Sequence, residues 1–239
     1  MHTSTSPTRP VNTGASVPGA QAGSGAPGPL DTAHIPFIAL TEGERRLSVP
    51  GLGARSDGWV AYQDPSPYDR YPDFHVLLTR TGGLPSGRPD GNQLSPYRQA
   101  HCMVNLLCQG CGAPAARSPE GWPLWVLPLT RADGGPAART GISDMPPSCA
   151  RCALHRCPVL KKRGRQLLWV AQAELVGVYA TVFPPGTNRV MKEQLVSLND
   201  ERRLSAAVAT RFVRDLQRVS PADLCTVEDL AQMAPRGRR

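Results

Sequence analysis

Two cysteine pairs constrain this chain more than any other feature: CQGC, with Cys108 and Cys111, and CARC, with Cys149 and Cys152. Two residues between cysteines let both sulfurs turn toward one ion while the intervening backbone amides point at the thiolates. Two such pairs complete the tetrahedral shell that Zn²⁺ prefers, so the pattern predicts a structural zinc ion held by these four residues. The first pair reads as a zinc knuckle, with Gly112 supplying the tight turn. The second follows Pro146-Pro147 and Ser148, so Ser148 is expected to cap a helix whose first turn carries Cys149 and Cys152. Between them, GWPLWVLPLTRADGGPAART holds an apolar run and an Asp-Gly-Gly turn, which suits a hairpin. Knuckle, hairpin and helix-borne pair form the treble-clef order.

Other readings of the cysteines explain less. A redox CxxC accounts for one pair at a time, whereas an iron–sulfur cluster would use the same four thiolates. His155 and Cys157 lie close enough in sequence to be additional ligands. Cys157 precedes Pro158, where the helix should break, and its thiol could turn toward the metal or into the core. Cys102, in AHCMVNLLC, reads as a core residue, and Cys225 as an isolated thiol.

The resemblance of treble-clef order to HNH-type nucleases stops at the hairpin. Those enzymes need a histidine there to activate water beside a catalytic ion, and residues 112–148 contain none. Asp64, Asp69, Asp73 and His75 cluster in sequence, but in a Pro-rich region such residues read as turn formers. A binding protein is therefore expected rather than an enzyme, with a divergent metal-dependent nuclease as the weaker reading.

Charge is localised. The net charge is +8, yet residues 1–150 balance to zero. The excess comes mainly from Arg151, Arg156, Lys161, Lys162, Arg163 and Arg165, which follow the second cysteine pair, and partly from residues 200–220. A cationic segment projected from a metal-anchored helix start suits contact with the phosphate backbone of DNA or RNA. A solvated face or a patch for an acidic protein is the plainer reading.

Composition organises the remainder. Residues 1–34 are Ser, Thr, Pro, Gly and Ala with little charge or large apolar surface, so a disordered tail is expected. From residue 35, IPFIAL, GWVAYQD and FHVLLTR are short apolar runs between turn residues, the pattern of strands. RQLLWVAQAELVGVYATVFPPG predicts a hairpin or one long bent strand. LNDERRLSAAVATRFVRDLQRVSP places Leu204, Val208, Phe212, Leu216 and Val219 at helical spacing with Asn199 as N-cap, which predicts an amphipathic helix. Such a helix would offer its apolar face to a protein partner, the adaptor reading. A short helix is expected at 226–233, and residues 235–239 form a basic tail. With no membrane span and no secretory layout at the N-terminus, a cytoplasmic protein with reduced thiols is expected. The fold expected is α+β: a small, irregular, β-rich zinc-binding core over 35–190 and a helical C-terminal segment over 191–234.

YDRYPDFHVLLTR, SPYRQAHCMVNLLCQGCGAP and MPPSCARCALHRCP together resemble a set of small actinobacterial proteins, some of them phage-like, that share the pattern LCQxCG and PPxCxxCAxxxCP. The resemblance spans residues 35–185. It implies the zinc-binding core and carries no activity with it.

Overall fold

A computed structural model describes residues 36–47, 51–54, 58–129, 139–140, 147–186 and 190–223. The expected disordered tail, Cys225, the helix at 226–233 and the basic tail at 235–239 lie outside these residues. The fold is mixed α+β, strand-rich with few helices. No helix among the described residues is long and apolar enough to cross a membrane.

The short apolar runs of the first half form strands, as their spacing predicts. They are β1 (Ala39–Thr41), β2 (Glu44–Arg46), β3 (Leu52–Ala54), β4 (Val60–Tyr62), β5 (Arg70–Tyr71), β6 (Val76–Leu77), β7 (Thr81–Gly83) and β8 (Pro89–Leu94). They pair as four two-stranded antiparallel ribbons, β1 with β8, β2 with β7, β3 with β4 and β5 with β6. Salt bridges between sequence-distant residues hold the ribbons. Arg80 reaches the Asp69 carboxylate at 2.6 Å and Asp64 at 2.8 Å, and Asp69 also accepts from the Ser66 amide at 2.6 Å. The acidic cluster noted in the sequence is thus turn and ion-pair structure. Arg98 closes on Glu44 at 2.7 Å.

Next comes α1 (Pro96–Asn105), capped by Ser95, whose side chain accepts from the Arg98 amide. A serine followed by proline is an N-cap and N1 signature, and it marks a helix where only a core-like apolar run was expected. The remaining elements are β9 (Leu124–Pro128), β10 (Arg139–Thr140), α2 (Pro147–Arg156), α3 (Pro158–Arg163), β11 (Arg165–Val182), β12 (Met191–Ser197), α4 (Glu201–Ser205) and β13 (Ala207–Pro221).

One sheet organises this second half. The long bent strand is realised as β11, with register shifts at Leu175/Gly177 and Tyr179/Ala180, and β13 pairs antiparallel along it from Leu168↔Pro221 to Val182↔Ala207. Two strands share the other edge of β11 end to end: β9 beside Arg165–Trp169 and β12 beside Gly177–Val182. Strand β10 borders β13 at Arg214 and Asp215.

The C-terminal helix expected over residues 200–220 is not formed. Helix is confined to the five residues of α4, capped by Asp200 rather than Asn199, and residues 207–221 are strand. Leu204, Val208, Phe212 and Leu216 recur every four positions, which approximates a helical turn, but β13 is bulged opposite Tyr179/Ala180, so Val208 and Phe212 enter different clusters. Side chains on both faces of β13 are buried: Ala207, Ala209 and Phe212 join one core cluster with Met103 and Val178, while Val208 joins another with Tyr62 and Leu77. An isolated amphipathic helix would bury one face only. Val208, Thr210, Phe212 and Val213 are also strand formers. The apolar face proposed for docking a partner is therefore core.

Two polar side chains fasten α1 to the outer edge of β13. Buried Gln99 donates to the Phe212 carbonyl at 3.1 Å and accepts from the Phe212 amide at 2.8 Å, standing in for a neighbouring strand. Buried Arg214 donates to the Met103 carbonyl at 2.6 Å, to the Val104 carbonyl at 3.1 Å and to the Ala173 carbonyl of β11. A cation at the carbonyl end of α1 also suits the helix dipole. Replacing Arg214 with Met keeps much of the packing volume but strips these carbonyls of their donor. The expected loss is about 3 kcal/mol of unfolding free energy, since stranded buried acceptors cost on the order of 1–3 kcal/mol. Urea denaturation should show a lower midpoint with an unchanged slope.

Candidate metal centre

The first cysteine pair lies on a small loop that begins where α1 ends. Leu106 takes a left-handed conformation at the helix C-cap, and its amide donates back to the Cys102 carbonyl. The chain then closes on itself. Leu107 and Pro114 form an antiparallel bridge, the Cys108 amide donates to the Ala113 carbonyl at 2.8 Å, and the Gly112 amide donates to the Cys108 carbonyl at 2.7 Å. Gly112 has φ of 74°, so glycine supplies the turn as expected. These bonds hold Cys108 and Cys111 on one tight loop where the knuckle was expected. The loop is tied to the N-terminal ribbons by the Phe37 amide, which donates to the Gly110 carbonyl at 2.9 Å.

Helix α2 brings the third sulfur. Its first turn carries Cys149, buried against the knuckle. The Sγ atoms of Cys108, Cys111 and Cys149 all lie within 4.8 Å of one another. Three sulfurs at this separation can hold a metal ion. Four sulfurs around Zn²⁺ at about 2.3 Å stand about 3.8 Å apart, so small side-chain adjustments suffice. Without a cation the cluster resists ionisation: hydrogen bonding with the Cys111 and Cys149 thiols, together with burial, pushes the Cys108 thiol far up. A bound cation would reverse this by holding the sulfurs as thiolates.

Of the residues expected to bind metal, three converge and three do not. Cys152 is half-buried and is not part of the cluster. Helix α2 begins at Pro147, so Ser148 lies within its first turn rather than before it. Cys157 is the N-cap of α3 and packs against the core of Leu124, Leu154 and Trp169. Of its two expected orientations the core is realised, and the helix does break before Pro158. His155 is exposed and outside the cluster.

Cys102 is buried in the core as expected, and it also donates its thiol to the Cys108 carbonyl at 3.6 Å, bracing the knuckle from α1. One supporting residue, Gly110, went unnoticed in the sequence. Gly110 donates its amide to Cys108 Sγ at 3.2 Å. A Cβ on Gly110 would stand 3.3 Å from Cys108 Sγ and 3.4 Å from Cys149 Sγ, so the two sulfurs crowd the space a side chain would need. The glycine inside CQGC was the available signal, because a close approach of backbone to ligand atoms calls for one.

The hairpin of the treble-clef order is not where the Asp-Gly-Gly segment suggested. Strand β9 pairs with β11, and β10 with β13, so the two strands between the cysteine pairs are not partners. The described chain instead turns tightly between Ala116 and Leu124, closed by an Arg117↔Pro123 bridge and by the Ser118 amide donating to the Trp122 carbonyl at 2.9 Å.

The basic segment follows Cys149 along the chain. Arg151, Arg156, Lys161, Lys162, Arg163 and Arg165 are all exposed, on α2, on α3 and at the start of β11. Lys161, Lys162 and Arg163 form no ion pair among the described residues, and they occupy the last turn of α3, where cations suit the helix dipole. Arg165 donates to the Leu154 carbonyl at 3.3 Å, tying α2 to β11.

Compared with protein-family models, with curated proteins and with solved structures, the chain matches none of them.

Replacing Cys149 with Ser should abolish stoichiometric metal binding, whereas Cys157→Ala should retain it at some cost in packing. Gly110→Ala should weaken metal affinity by about tenfold, the lower end of what loss of an outer-shell partner costs. Elemental analysis and competition with a chromophoric chelator measure both effects. A Cys149 variant that keeps one metal per chain would remove that residue from the site.

Proposed function

We propose that this protein is a metal-stabilised binding module that contacts nucleic acid through the surface of α2 and α3. The observation that carries the reading is the mounting of the basic side chains. Helix α2 starts at a sulfur of the Cys108–Cys111–Cys149 cluster and is packed through Ala150 and Leu154 onto β9 and β11. Six exposed cations follow within fifteen residues, without an intervening carboxylate. A helix held at one end by a metal and along one face by a core presents its charges at fixed positions, which is what phosphate contact uses.

Zinc is the metal this reading assigns, since an all-sulfur set in a compact loop and helix suits it. The cluster then contributes folding free energy on the order of 10 kcal/mol. A treble-clef relation is supported by the knuckle and the helix-borne cysteine, and the tight turn at 116–124 would take the place of the hairpin. The likeness to small actinobacterial proteins belongs with this proposal. The adaptor reading has lost its surface, because Leu204, Val208, Phe212 and Leu216 are buried.

Measuring the affinity for a short duplex and for a single strand across a range of salt concentrations tests the proposal. Changing Lys161, Lys162 and Arg163 together to Gln should flatten the slope of log affinity against log salt by about 0.9 per lost duplex contact, with little change in sequence preference. Thermal stability should be nearly unchanged, because all three side chains are exposed. A wild-type protein that binds neither nucleic acid at low salt would overturn the reading.

A further inference from the structure

The cysteines of α2 are not equivalent, and the packing of the helix says why. Ala150 and Leu154 are buried among Leu124, Val126, Leu160 and Trp169, with Ala153 and Cys157 packed against the same cluster. These residues set the roll of α2. At about 100° per residue, Cys149 lies at the border of that apolar face, and Cys152 lies about 60° farther round, away from it. Cys149 is accordingly buried against the knuckle, whereas Cys152 is half-buried and outside the sulfur cluster. Rolling the helix to bring Cys152 inward would draw Leu154 out of its core, at a cost of about 1.5–3 kcal/mol for a side chain of that size. The cluster also reaches the surface, because Cys111 is exposed while Cys108 and Cys149 are not.

We propose that the three sulfurs form a metal centre with an open fourth coordination position, occupied by exchangeable water and not by Cys152. This rests on the reading of the Cys108–Cys111–Cys149 cluster as a metal site. A closed structural site takes all four ligands from the protein, whereas a site with three protein ligands leaves the ion open to an incoming donor. The donor class that fits the vacant corner is a small neutral or soft Lewis base, such as an imidazole or a thiol. Three thiolates leave the zinc centre one negative charge where four would leave two, so it stays the better acceptor for such a donor.

The test uses the full chain, prepared without added thiols and loaded with one equivalent of Zn²⁺ or Co²⁺. X-ray absorption of the zinc form should show three sulfurs and one oxygen or nitrogen. In the cobalt form, added imidazole should shift the visible bands. The Cys152→Ser protein should bind one metal per chain with an affinity changed by less than the roughly tenfold that loss of even an outer-shell partner costs, and with the same spectrum. Four sulfurs in the wild-type zinc form, or a cobalt spectrum that imidazole leaves unmoved, would overturn the open position. So would loss of metal from a folded Cys152→Ser protein. Should that variant fail to fold, the wild-type spectra decide. A wild-type chain that binds neither ion would instead overturn the metal-site reading itself.

Discussion

Arg214 carries a buried positive charge whose hydrogen bonds are accepted by backbone carbonyls from two elements. Its guanidinium joins Met103 and Val104 at the end of α1 to Ala173 of β11. Hydrogen bonds to oriented dipoles offset part of the water a buried cation loses, and the last carbonyls of a helix, which have no partners within it, are such dipoles. The same contact lies at the last turn of α1. Directly beyond it Leu106 turns left-handed and the loop of Cys108 and Cys111 begins, so Arg214 ties the entry of that loop to the sheet. Gln99 fixes the other end of the contact by pairing with both backbone groups of Phe212, which also blunts an edge of the sheet that would otherwise be open to a foreign strand.

The sulfur cluster depends on this arrangement and on one other. Helix α2 reaches the knuckle because Ala150, Leu154 and, on α3, Leu160 pack on the face of β9 and β11 that carries Leu124, Val126 and Trp169. The alternate residues of β9, Trp125 and Leu127, pack on the opposite face with Leu168 and Val170. Strand β9 is thus apolar on both sides, which is why LWVLP reads as a continuous run rather than an alternating one. Two independent packings, α1 on β13 and α2 on β9 and β11, meet at three sulfurs. A metal bound there would couple them, and the exposed cations of α2 and α3 would be held by the same bond.

The knuckle was legible because its determinants are local. Two cysteines, two intervening residues and Gly112 specify one tight loop wherever it is placed. The long strand β11 was legible for a similar reason, since Trp169 and Val170 on one side of residues 171–175 and Val176, Val178, Tyr179 and Val182 on the other are strand formers. Helix α1 was present in the sequence as Ser95-Pro96 but was masked by the apolar residues that follow it. The C-terminal segment misled because Leu204, Val208, Phe212 and Leu216 recur at the spacing of a helical turn, whereas burial on two faces selects a strand. That information resides in Met103, Tyr62 and Leu77, far away along the chain.

The sequence by itself determined the chemistry on offer: soft sulfur ligands in CxxC spacing, a glycine where sulfur approaches the backbone, and a block of cations with no acid among them. Those are properties of residue type and short spacing, which no tertiary context alters. Which sulfurs meet was decided only by the tertiary structure. The roll of α2 is set by its apolar contacts with β9 and β11, and that roll buries Cys149 at the knuckle and leaves Cys152 half-buried, while Cys157, beyond the end of α2, packs against the core. Spacing fixes which side chains share a helix face, but the direction in which that face looks is settled by what the rest of the helix must bury.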